Sequence, residues 1–193
     1  MTPLSFAAVL YTTPRVGQNA VLRCLRSVIP GANEWGAAQP IDGKLVMSIN
    51  RPPPSNAWAG YDLTHCRWGD PVYMRRRDKI AQAISWAVAA QTGRFTSEVD
   101  ARGEPEYRRQ DVQQALDTII DQEHRWMSVL PDRYLEIWYE DHVETDPRDA
   151  ARLILRFWGF DGEPADPGLV RVESDVKARW RQLWDTGRGV ITR

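Results

Sequence analysis

The chain is poor in the residues that build staples and metal cages. Its 193 residues include two cysteines and three histidines. Cys24 and Cys66 form no metal-ligand spacing and no disulfide framework, and Cys66, a metal candidate beside His65, has no second ligand pair nearby. Cys24 falls within an apolar helical pattern and is expected to be a packed thiol. Charge of one sign is also lacking. A formal net charge of −1 gives the whole molecule no field that would draw in DNA, RNA or an acidic membrane, so any anion site must come from local clustering of basic residues. No apolar run is long enough to span a bilayer. No basic region precedes an apolar stretch and a small-residue cleavage site at the N-terminus. A reducing, cytoplasmic setting is the expectation. The Gly-Lys-Ser/Thr ending of a Walker loop is missing, as are internal repeats and low-complexity blocks.

Apolar residues make up 42% of the chain, and a sequence of this length buries a core without staples. The expectation is one domain over residues 1–193. Ser5 to Thr13 is a near-continuous apolar run, the pattern of a parallel strand covered on both faces. Pro14 and Gly17 break it, and a helix is expected over Gln18 to Val28. Further strands are expected at Gly43 to Ser48, Pro71 to Met74 and Tyr134 to Tyr139. Ile80, Ala83, Ile84, Ala87 and Val88 repeat at helical spacing. A long helix is expected from Arg109 to Leu130, a second opens at Asp146-Pro147 with an Asp cap and a first-turn proline, and the tail from Leu169 to Trp184 reads as helical. Strands alternating with helices imply an α/β fold with a mostly parallel central sheet flanked by helices. Ligands in such sheets bind beyond the carboxyl ends of the strands.

Two unusual features lie at strand ends. The turn Thr13-Pro14-Arg15-Val16-Gly17 feeds a helix whose first N–H groups lack intrahelical acceptors, and the helix dipole favours an anion there. Arg15 supplies a fork of donors, Gly17 permits close approach of backbone, and Gln18 and Asn19 can add side-chain donors. The plainer alternative is a strand-to-helix turn carrying a surface arginine. The second feature is Arg75-Arg76-Arg77-Asp78-Lys79, either a solvated basic edge or a second anion site. Ser85 follows Arg77 by eight residues, about two helical turns, so the two side chains could grip one phosphate. Two anion sites on one sheet edge suggest a ligand with phosphates at both ends.

These residues resemble those of bacterial sulfotransferases of the trehalose 2-sulfotransferase type, over most of the chain. Thr13-Pro14-Arg15-Val16-Gly17 is similar to the family's Pro-Arg-Ser-Gly-Ser-Thr loop, with Val16 in place of the serine and Gln18-Asn19 in place of Ser-Thr. Gly43-Lys44-Leu45-Val46-Met47 resembles its Gly-Lys-Leu-Met strand. Arg77-Asp78-Lys79-Ile80-Ala81-Gln82-Ala83-Ile84-Ser85 is close to Arg-x-Asp-Lys-Val-Ala-Gln-Ala-Val-Ser and is the most specific match. Gln122-Glu123 with Trp126, Tyr139-Glu140-Asp141 and Asp146-Pro147 resemble a later helix and strand, and Arg171, Ser174, Trp180 and Arg181 the closing segment. The stretch before the Gly-Lys-Leu strand is shorter than in that family.

The resemblance implies a P-loop-like three-layer fold that binds 3′-phosphoadenosine 5′-phosphosulfate without a metal. It implies that Arg15, Val16, Gly17, Gln18 and Asn19 hold the 5′-phosphosulfate, and that Arg77 and Ser85 hold the 3′-phosphate. Glu34, within Gly31-Ala32-Asn33-Glu34-Trp35, takes the place of the acceptor-activating base, with His65, His124 and His142 as alternatives. Arg15 and Glu34 are then the catalytic candidates. The acceptor would be a small molecule or carbohydrate. Two other classes stay open: a degraded relative that binds a nucleotide or a partner without chemistry, and a small phosphotransferase on a similar sheet.

Overall fold

The computed structural model describes residues 6–29, 32–34, 44–49, 71–95, 102–168 and 175–187. Five strands, β1 (Phe6–Thr12), β2 (Ala32–Glu34), β3 (Lys44–Ile49), β4 (Val72–Arg75) and β5 (Leu135–Trp138), form one sheet in the order β2-β3-β1-β4-β5. Every pairing is parallel, with Leu10 registered on Val72, Ala8 on Val46, Ala32 on Val46 and Met74 on Ile137. The helices are α1 (Gln18–Arg26), α2 (Lys79–Thr92), α3 (Arg109–Val129), α4 (Tyr139–His142), α5 (Pro147–Phe157) and α6 (Asp175–Asp185). A parallel sheet with helices flanking it is what the alternation of strands and helices implied.

Two compact units make up the chain. The first comprises Met1–Arg77 and Gln122–Pro167, the second Asp78–Asp121 and Gly168–Arg193. The first holds the sheet. Its core joins Leu10 of β1, Val21, Leu22 and Leu25 of α1, Val72 and Met74 of β4, Ile137 of β5 and Ile154 and Leu155 of α5. All are essentially inaccessible to solvent, and each large aliphatic side chain buried this way contributes about 1.5–3 kcal/mol. α5 starts where the sequence signals it: the Asp146 carboxylate accepts the Arg148 N–H at 3.0 Å, and Pro147 occupies the first turn. Cys24 is buried here, as expected for a packed thiol.

The second unit is helical. Ala83, Ile84 and Ala87 of α2 cluster with Val112 and Ile119 of α3, Tyr107, and Trp180 of α6. The Tyr107 and Trp180 rings meet edge to face, centroids 5.4 Å apart, a favoured aromatic geometry. Asp78 caps α2 by accepting the Ala81 N–H at 2.9 Å, and the same carboxylate receives Arg181 Nη1 at 2.9 Å on both oxygens.

Two elements differ from expectation. β2 is a strand of three residues with a polar half, held through its register with β3. Tyr139 to His142 is a short helix where a strand end was expected. The Val143 and Glu144 N–H groups both return to the Tyr139 carbonyl, at 2.9 and 2.8 Å, and close the turn.

Candidate anion site at the carboxyl edge of the sheet

β1 is central in the sheet. The chain leaves it for β2 on one side and later adds β4 on the other, so the carboxyl end of β1 lies at a reversal of strand order, where open α/β sheets take ligands. The Thr13–Gly17 turn follows β1 directly. Arg75 ends β4, the neighbour of β1, and Arg76 and Arg77 follow it. The two basic features thus stand at the carboxyl ends of adjacent strands.

The turn is built tightly. Thr12, Thr13 and Val16 are fully buried. The Thr12 hydroxyl donates to Gln18 Oε1, and the Trp126 indole N–H donates to the Thr12 carbonyl at 3.0 Å. Arg15, at φ +67°, is the one non-glycine with positive φ among the described residues, a conformation that costs an L-residue about 1–2 kcal/mol. Gly17 caps α1 at φ +78°. A Cβ there would lie 2.6 Å from Val143 Cγ1 and 3.3 Å from two ring carbons of Tyr139. The missing side chain therefore makes room for Tyr139 and Val143, a reason different from the ligand approach expected of it. The Val16 side chain points into the core, so it could offer a ligand only its backbone. Ala20 and Val21 donate to the Gly17 carbonyl at 3.1 and 3.3 Å. The N–H groups of Gln18 and Asn19 have no acceptor among the described residues.

The three arginines, one ending β4 and two following it, have different neighbours. Arg75 bonds Glu136 Oε1 at 2.9 Å and reaches Glu123 at 3.5 Å. Its guanidinium carbon stands 4.7 Å from the Trp138 ring centroid, and that of Arg77 stands 4.7 Å from the centroid of the same ring. Arg77 pairs with both oxygens of Asp141 at 2.5 and 2.7 Å, and its backbone N–H donates to Glu140 at 3.0 Å. Arg76 stacks 4.4 Å over the Tyr139 ring and meets Glu140 at 3.7 Å. Each arginine thus has an aromatic and an acidic neighbour, and Arg77 is exposed as well.

The charges respond. Burial and, next, the Arg76 charge push Arg15 below its ordinary range. The hydrogen bonds from Arg77 hold the Asp141 carboxyl below the usual carboxylate range. Burial and the Glu123 charge push the Tyr73 phenol up; its hydroxyl has no hydrogen-bond partner among the described residues.

The remaining candidates are more scattered. Glu34 ends β2, registered on Ser48 of β3, at the same carboxyl edge as the turn but two strands from β1. Ser85 belongs to the second unit, buried on α2, whereas Arg77 closes the first segment of the first unit. His124 is exposed on α3, His142 closes α4 rather than a strand, and His65, Arg171 and Ser174 lie outside the described residues. No group of three or more His, Cys, Asp or Glu side chains suited to a metal occurs among the described residues, and no helix there is long and apolar enough to cross a membrane. Sequence reasoning missed Arg76 and Tyr139 as parts of the turn's surroundings. The sequence matches no family model and no curated protein.

Proposed function

We propose that the chain is a sulfotransferase-like protein of P-loop-like, three-layer construction, working in the cytoplasm. In this reading it moves a sulfuryl group from 3′-phosphoadenosine 5′-phosphosulfate to a hydroxyl of a small-molecule or carbohydrate acceptor. The observation that carries the reading is the pairing of two arginine-bearing turns, Arg15 after β1 and Arg75 to Arg77 after β4, on neighbouring parallel strands. A donor with phosphates at both ends matches two cationic turns on one edge.

The donor set fits the 5′ group: the Gln18 and Asn19 N–H groups lack acceptors among the described residues, and Arg15 adds a cation at a helix start. The bound donor would supply the sulfuryl group and the leaving phosphate. Arg15 and the α1 N–H groups stabilise the charge that grows on the bridging oxygen as its bond to sulfur breaks. Glu34 accepts the proton of the attacking hydroxyl, a contribution of roughly 10²–10⁴-fold for a placed base. Positioning of the two groups in line supplies much of the rest. Arg77 holds the 3′-phosphate from the end of the arginine run.

A second reading, binding without turnover, is favoured by one observation. Val16 is buried and Gln18 is tied to Thr12, so no hydroxyl flanks Gly17 to replace the serines and threonine of the resembling loop. Calorimetry with adenosine 3′,5′-bisphosphate separates the possibilities. Binding by the wild type that is lost in Arg15→Ala and Arg77→Ala supports the donor site, and slow hydrolysis of the sulfated donor supports the enzyme. Binding with no hydrolysis and no transfer favours the second reading. No binding by the wild type sinks the donor site and the nucleotide-binding form of the second reading.

A further inference from the structure

The end of β5 and the start of α4 meet Arg77 at three different parts. The Glu140 carboxylate accepts the Arg77 backbone N–H, 3.0 Å from each oxygen. The Asp141 carboxylate takes the guanidinium fork. The Trp138 ring lies under the same guanidinium, its centroid 4.7 Å from the central carbon. All of these residues belong to the first unit. Trp138 is itself anchored. Its indole N–H donates to Glu136 Oε2 at 3.1 Å, and the other Glu136 oxygen accepts Arg75 Nη1 at 2.9 Å. Glu136 stands two residues back on β5, on the same face of the sheet. Arg75, registered on Trp138 across β4, also places its guanidinium over the ring at 4.7 Å.

We propose that Trp138 is a positioning residue: its indole holds the Arg77 guanidinium in place independently of Asp141, so that the fork stays set for a phosphate monoester when the carboxylate is displaced. The inference rests on reading Arg77 as the ligand of the 3′-phosphate, and it adds a residue that acts through Arg77. The Arg77 side chain is half-exposed, and a long side chain in that setting has many rotamers to lose on binding. An aromatic face attracts a guanidinium through the ring quadrupole, while carboxylates and phosphates are recognised by its N–H fork. Arg77 makes both contacts at once, so the stack and the fork do not compete. Exchanging Asp141 for a phosphate then changes the group on the fork and leaves the stack intact. Without the ring, the released side chain regains its rotamers and the phosphate must order it again. Glu136 keeps the platform steady, since one carboxylate ties the indole of β5 to Arg75 of β4.

The test uses the full chain, with two readouts. The Arg77 Nε–H resonance, assigned by its loss in Arg77→Lys, reports the ring current of the indole. Calorimetry with adenosine 3′,5′-bisphosphate reports binding. The ring shift is expected to persist in Asp141→Asn and to vanish in Trp138→Leu. Bisphosphate affinity should fall roughly three- to tenfold in Trp138→Leu, the worth of a cation–π contact, and Trp138→Phe, which keeps a ring face, should restore most of the loss. Should Trp138→Leu fail to fold, the Asp141→Asn resonance decides alone. A ring shift lost in Asp141→Asn, or equal affinity in wild type and Trp138→Leu, or Trp138→Phe as weak as Trp138→Leu, overturns the proposal. If the wild type binds no bisphosphate while the ring shift survives Asp141→Asn and is lost in Trp138→Leu, the nucleotide reading fails and the Trp138 assignment stands. If the bisphosphate binds through Arg77 and is indifferent to Trp138→Leu, the assignment fails and the nucleotide reading stands.

Discussion

Arg77 donates through both terminal nitrogens to the Asp141 carboxylate, Nη1 to Oδ1 at 2.5 Å and Nη2 to Oδ2 at 2.7 Å. A carboxylate on this fork occupies the place a phosphate would take, since bidentate arginine recognises either group. If the 3′-phosphate of a nucleotide uses Arg77, it must displace Asp141.

Asp141→Asn should therefore tighten binding of adenosine 3′,5′-bisphosphate. Both partners are substantially exposed, at 51% and 42% for the side chains, so the gain should stay below about tenfold, the ceiling for a screened pair. Calorimetry on the two proteins measures it. An unchanged affinity would show that the nucleotide does not compete for Arg77. The pair also has a pH signature. The Asp141 carboxyl is depressed by Arg77, so its contribution to stability is complete above the ordinary aspartate pKa and fades as pH falls through the lower folded value. Any difference in urea midpoint between wild type and Asp141→Asn at pH 7 should vanish in strong acid.

The elements that were legible carry their own local signals. β1 announces itself as an apolar run, α5 through Asp146 and Pro147, α2 through its apolar spacing. β2 could not be read, because three residues show no period and Ala32-Asn33-Glu34 becomes a strand only when Val46 to Ser48 lies beside it. α4 is too short to bury a stripe, and its turn depends on backbone bonds to Tyr139. At the site, a strand, a tight turn and a helix were legible in the chain around Arg15. The company of Arg76 was not, because Tyr139 reaches it from a distant part of the sequence. Gly17 could be placed as a turn glycine, but its packing reason needed Val143.

Gly17→Ala should destabilise the first unit. The added methyl must accept φ +78°, worth about 1–2 kcal/mol for an L-residue, and it meets Val143 Cγ1 at 2.6 Å, which forces the α4 turn to move. A loss of about 1–3 kcal/mol in urea denaturation is expected. Paired with Val143→Ala, which removes the clashing methyl, the cost should fall back toward the conformational part alone. Equal costs in the two backgrounds would mean that strain in the backbone, and not the contact, makes the residue glycine.

Cys24 should behave as an inert thiol. It is fully buried within the α1 side of the core, and burial, with the Asp146 and Asp166 charges next, pushes the thiol up to about 11. Alkylation proceeds through the thiolate, and a thiol titrating that high is ionised at roughly one part in a thousand at pH 8. Peptide mapping after iodoacetamide treatment should find Cys24 unmodified in the native protein and fully modified in urea. Modification should become appreciable in the native state only as pH approaches the thiol's own value or the core opens. Fast native labelling of Cys24 at pH 8 would mean that α1 leaves the core often enough to expose it, and the turn before α1 would then be too mobile to hold an anion.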